Sequence, residues 1–140
     1  MAKKKKKSKG SKKMNVSIEE KIKELENKKE KIHEEVEELD RKIREKLKEI
    51  LKENYRDKFS LIVKRYLKSG KEYEYLCFRV YLNVQEREKL KVKTHQKDIV
   101  IGKLEDKEIR ELYQKYIKLK EMREELKHID YTINYLKSLT

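Results

Sequence analysis

The residues best suited to chemistry lie in KEYEYLCFRVYLNV, residues 71–84, where Tyr73, Tyr75, Arg79 and Tyr81 recur at two-residue spacing. Phenol rings stack on nucleobases, and a guanidinium can donate to phosphates or to a base edge. Lys64, Arg65, Lys68 and Lys71 precede this group, and Lys89, Lys91, Lys93, Lys97 and Lys103 follow it. Rings interleaved with cations suit a polyanion.

Other chemistries find little support. His33, His95 and His128 stand far apart without Cys or Asp at ligand spacing, so no metal site is expected. There is no glycine-rich phosphate loop, no nucleophile–base arrangement and no paired acid in an apolar setting, which points to a non-enzymatic chain without cofactor or small-molecule substrate. The single Cys77 excludes an intrachain disulfide, fits a reducing compartment and reads as a packing residue.

The segment that holds the rings reads as a strand. Leu76, Phe78, Val80, Leu82 and Val84 would point to one face, with Tyr73, Tyr75, Cys77, Arg79 and Tyr81 on the other. KFSLIVKRYLKSGKE upstream reads as a second strand, with Lys-Ser-Gly-Lys as the hairpin turn. KLKVKTHQKDIVIGKL downstream alternates again, which predicts a third strand with Lys89, Lys91 and Lys93 on the tyrosine face.

Long helices must frame this sheet. Ser17 and Glu20 form a capping-box signature, after which Ile18, Ile22, Leu25, Ile32, Val36, Leu39 and Ile43 follow a heptad-like spacing, with Lys29 in the one polar position. A second stripe starts near Asp106 and runs through Ile109, Leu112, Tyr116, Leu119, Met122, Leu126, Ile129, Ile133 and Leu136. Each arm would be roughly 50–60 Å long. The expected fold is α+β: a long antiparallel coiled-coil helical hairpin with an inserted three-stranded antiparallel sheet. The parts are a disordered Lys-rich tail at 1–14, a first arm at 15–56, a basic β module at 57–103 and a second arm at 104–140.

Charge is sorted along the chain. The formal net charge is +13, and 48% of residues are charged, too many for a large globular core. Residues 1–14 contain eight lysines (Lys3, Lys4, Lys5, Lys6, Lys7, Lys9, Lys12 and Lys13) and no acid. Residues 57–103 hold 12 basic and 6 acidic side chains, whereas the arms are close to neutral. Aromatics on a strand also serve cross-strand packing, and Lys on an edge guards against aggregation. Solubility alone would not concentrate the excess in the tail and the middle, but a polyanionic partner would. No apolar run is long enough to cross a bilayer, and the basic N-terminus lacks the apolar stretch of a secretory signal. A soluble, cytoplasmic protein is expected, with nucleoid or virion association as options. The Lys/Glu-rich composition is similar to that of thermophile proteins.

The run VKRYLKSGKEYEYLCFRVYLNV…KLKVKTHQKDIVIGKL resembles a three-strand motif of transposases and of short archaeal plasmid and virus proteins. That motif has a basic strand, a Gly turn, a Tyr-rich strand, a basic strand and a closing Y-[IL]-G-K. The matching positions are Lys64–Tyr66, Gly70, Tyr73–Tyr81, Lys89–Lys93 and Ile101–Lys103. Val100 stands where the motif has Tyr, and the Asn83–Glu88 connection is longer. The resemblance covers about a third of the chain and implies a DNA-binding module of a mobile element, without a catalytic domain. Composition and resemblance together lead to the expectation of a nucleic-acid-binding homodimer, with double-stranded DNA favoured. A prefoldin-like holdase and a protein coating a viral or plasmid genome are the alternatives.

Overall fold

Ser69 and Gly70 both take left-handed backbone angles, φ 54° and 77°. Two consecutive residues in this region make a tight turn whose twist matches that of the flanking strands. The turn joins β1 (Ser60–Lys68) to β2 (Lys71–Tyr81), with Lys68 opposite Lys71, Tyr66 opposite Tyr73 and Leu61 opposite Phe78. The third strand, β3 (Gln96–Lys103), pairs antiparallel with β2, which makes an antiparallel sheet of order β1-β2-β3. Among the described residues three helices complete an α+β fold: α1 (Gly10–Leu51), α2 (Val84–Leu90) and α3 (Lys107–Ser138), with a 3-10 turn at Lys52–Asn54. The computed structural model describes residues 10–140, with side chains from residue 17 onward.

Helix α1 begins at Gly10, ahead of the Ser17 cap read from the sequence. Lysine is a good helix former and the chain has no proline, so nothing stops the helix at Ser17. Ser17 and Glu20 therefore lie within the helix. The disordered tail expected at 1–14 falls outside the described residues at 1–9, and residues 10–14 belong to α1.

The third strand needs a larger correction. Lys89, Lys91 and Lys93 do not alternate on a strand. Asn83 accepts the Glu86 amide at 2.7 Å while the Glu86 carboxylate accepts the Asn83 amide, a reciprocal cap that starts α2. Lys89 lies in that helix, Lys91 ends it at φ 57°, and Lys93 sits in the connection to β3. Val84, expected on the apolar strand face, is an exposed residue at the start of α2. The Asn-x-x-Glu sequence captures the segment, because local caps outweigh an alternation only a few residues long.

By its contacts the chain divides into two compact units. One takes α1 up to Glu38 together with Leu119–Thr140. Its core is Ile22, Ile32 and Val36 on α1 with Leu119, Met122, Ile129 and Ile133 on α3. Ion pairs Glu26–Lys137 and Lys28–Glu125 (3.4 Å) run in opposite chain directions, so the two helix segments are antiparallel. Lys29, the polar position of the stripe, pairs with Asp130.

The other unit is Leu39–Lys118. Ile43, Leu47, Leu51, Ile109, Leu112 and Tyr116 from the helices are buried together with Leu61, Leu76, Phe78 and Val80 from the sheet. Phe78 stacks on Phe59 at 4.8 Å between centroids, and Tyr55 and Tyr116 complete an aromatic cluster. Arg44 fastens α1 to this cluster: it donates to Asp40 (2.8 Å), to the Tyr55 hydroxyl and to the Asp57 carbonyl (both 2.9 Å), and lies over the Phe59 ring. Register shifts in β3 between Val100 and Gly102, leaving Ile101 as the extra residue of a bulge. Gly102 then passes the α3 residue Ile109 so closely that a Cβ would lie 3.0 Å from its side chain.

No helix of the described residues is long and apolar enough to cross a membrane. No group of three His, Cys, Asp or Glu side chains among the described residues is placed to hold a metal ion.

Candidate nucleic-acid interface

Strand pairing decides which side chains share a face. On one face stand Lys64, Tyr66 and Lys68 of β1, Lys71, Tyr73, Tyr75, Cys77, Arg79 and Tyr81 of β2, and Asp98, Val100 and Lys103 of β3. Five of these are cations and only Asp98 is acidic. The opposite face carries the core residues and, toward the hairpin tip, Arg65, Leu67, Glu72 and Glu74. Arg65 lies 3.7 Å from Glu72 and 3.6 Å from Glu74, so this expected site residue faces away from the tyrosines between two acids. Lys97, opposite Val80, also lies on that other side.

The tyrosine face has two parts. At the tip, Tyr66 and Tyr75 meet edge to face at 5.4 Å, and the Lys103 ammonium stands 5.4 Å over the Tyr73 ring. Lys68 and Lys71 close this patch; no strand acid alternates onto it, and Glu72, Glu74 and Glu105 line the cleft beside Tyr73 and Lys103. Tyr66 was not singled out as a site residue from the sequence, although its two-residue spacing from Lys64 and Lys68 would have placed it.

Toward the middle the cations are engaged. Asp98 Oδ1 accepts from Arg79 Nε at 2.8 Å and Oδ2 from Nη2 at 3.1 Å, and Lys64 Nζ lies 2.5 Å from the same Oδ2. Arg79 thus offers an occupied fork where the sequence suggested a free base reader. These contacts hold the Asp98 carboxyl down at about 2, chiefly through the Arg79 hydrogen bond and then that of Lys64, against the opposing effect of burial. Between Tyr75 and Arg79 on this face Cys77 is fully buried, and that burial pushes its thiol up.

Because its folded-state value is depressed, Asp98 stabilises the fold above the ordinary carboxylate range and loses that contribution as pH falls from 3.8 toward 2. The stability gap between the unaltered chain and Asp98→Asn should be roughly 1 kcal/mol at neutral pH, after allowance for solvent screening, and should close across this window. Thermal melts of both proteins between pH 2 and 6 would measure it.

The other expected contacts are dispersed. Tyr81 is exposed at the far end of the face, opposite Gln96. Lys89, Lys91 and Lys93 lie outside the sheet, Lys12 and Lys13 are in the first turns of α1, and Lys3 to Lys9 are outside the described residues. Compared with known proteins, the chain matches no family model, no curated protein and no solved structure.

Proposed function

We propose that this chain is a non-enzymatic nucleic-acid-binding protein that presents the tyrosine–lysine face of its sheet to the polymer. The observation that carries the reading is the sorting of charge across a single hairpin. Lys64, Lys68 and Lys71 fall on the tyrosine side, whereas Glu72 and Glu74 fall on the other with Arg65. Lysines among exposed rings combine phosphate neutralisation with stacking. The lysines of residues 1–14 add contacts without sequence preference. The helical arms act as a coiled-coil hairpin that pairs two copies, with Lys29–Asp130 fixing the register of each hairpin. The resemblance to mobile-element modules agrees with this reading and with duplex DNA as a partner.

Titrating the full chain with duplex DNA, single-stranded DNA and RNA at two salt concentrations tests it. Binding should weaken steeply with salt, with a log–log slope of about 0.7–0.9 per phosphate contact. Absence of binding to all three polymers at low salt would refute the reading.

One observation favours a holdase instead. Tyr131 and Tyr135, four residues apart on one face of α3, and Leu139 just past its end are 72%, 57% and 50% exposed. Suppression of client aggregation, without affinity for any nucleic acid, would select that function.

A further inference from the structure

We propose that the tip of the sheet takes unpaired strands in preference to duplex, by stacking bases on Tyr66, Tyr73 and Tyr75 between Lys68, Lys71 and Lys103. This rests on the nucleic-acid reading above and names the form of polymer the face recognises.

Three features decide the form. First, duplex sequence is read through base edges in a groove, most often by a bidentate guanidinium. Arg79, the only guanidinium among the strand residues of this face, has Nε and Nη2 both committed to Asp98. The remaining cations are lysines, which attract phosphate as point charges without reading a base. Second, Tyr73 and Tyr75 are half-buried and Tyr66 is more exposed. Each ring keeps part of its surface open to solvent, beside the Tyr66–Tyr75 edge-to-face contact and the Lys103 ammonium over Tyr73. A paired base stacked within a helix presents its edges to a groove, whereas an unpaired base presents a face that a ring can cover. Third, three lysines frame the rings on both outer strands and at the turn. No strand acid alternates onto the tip half of the face, and Glu72, Glu74 and Glu105 line the cleft beside Tyr73 and Lys103. A backbone can pass along the lysines while its bases turn onto the tyrosines. Stacking is tolerant of base identity, so little sequence preference is expected.

The test uses the full chain and fluorescein-labelled oligonucleotides of about 16 nucleotides, the upper range for one stacking platform. The arms are single-stranded DNA, single-stranded RNA, the matching DNA duplex and an abasic DNA strand with the same phosphates. Anisotropy should show the DNA or RNA single strand bound at least about ten-fold more tightly than both the duplex and the abasic strand. The DNA and RNA arms report which sugar is preferred, and a preference for either is consistent with the inference. Tyr75→Leu should weaken single-strand binding by about five- to hundred-fold, and duplex binding by a much smaller factor. A circular dichroism melt checks the fold of the variant. If that variant does not fold, the abasic comparison on the unaltered chain decides. Equal or tighter binding of the duplex, or equal binding of the abasic strand, would overturn this inference and leave nucleic-acid binding in place. Failure of every polymer to bind would overturn both.

Discussion

Replacing Phe78 with Ala is expected to destabilise the protein by about 3–5 kcal/mol, the usual cost of deleting a buried aromatic. Phe78 has no exposed surface and stacks on Phe59 at 4.8 Å, with Tyr55 at 6.1 Å. Truncation would remove the central ring of that cluster, and Arg44, which clamps Tyr55 and lies over Phe59, holds the remaining rings too firmly to collapse into the void. A denaturant melt measures the loss. The contrast is with Tyr81, exposed at the edge of the other face, where replacement by Leu should stay within about 0.5 kcal/mol. If Phe78→Ala melted like the unaltered chain, the assignment of the two sheet faces would be inverted.

The second large effect lies in the helices. Val36 is 7% exposed within the unit formed by α1 and Leu119–Thr140. An aspartate there would be an unpaired charge among Ile32, Met122 and the other apolar side chains of that core, with a cost of about 3–5 kcal/mol. The helical circular dichroism signal should melt at a much lower temperature, and sedimentation should show loss of any dimer formed through these helices. Val36→Leu, which keeps the site apolar, should retain the helix. Full helicity and unchanged mass in the aspartate variant would mean that Val36 faces solvent.

What could be read from the sequence followed the strength of local signals. The hairpin was legible because a Ser-Gly turn lies between two alternating runs, and only one two-residue loop joins them. The helical stripes were legible because long periodic segments average out local exceptions; even the displaced start of α1 left Ile22, Val36 and Ile43 in the buried set. The third strand was misplaced because Lys89, Lys91 and Lys93 alternate by composition, while Asn83 and Glu86 cap a helix through the same residues. The site was half legible. The shared face of Tyr73, Tyr75 and Tyr81 follows from spacing within one strand. The pairing of Arg79 with Asp98 depends on a cross-strand register that begins at residue 96 and carries a bulge, and no spacing within one strand reveals it. That pairing turns the expected base reader into part of the sheet and leaves the tip lysines as the cations of the tyrosine face that are not held by Asp98.

The direct test of the interface is the salt dependence of binding by a Lys68→Gln, Lys71→Gln, Lys103→Gln variant. All three side chains lie on the tyrosine face outside the core, so the melt should stay within about 0.5 kcal/mol per site. Against a single-stranded oligonucleotide the log–log salt slope should fall by about 2, at roughly 0.7 per lost phosphate contact, with a matching loss of affinity. An unchanged slope and affinity in a folded variant would place the polymer elsewhere on the protein and contradict the account.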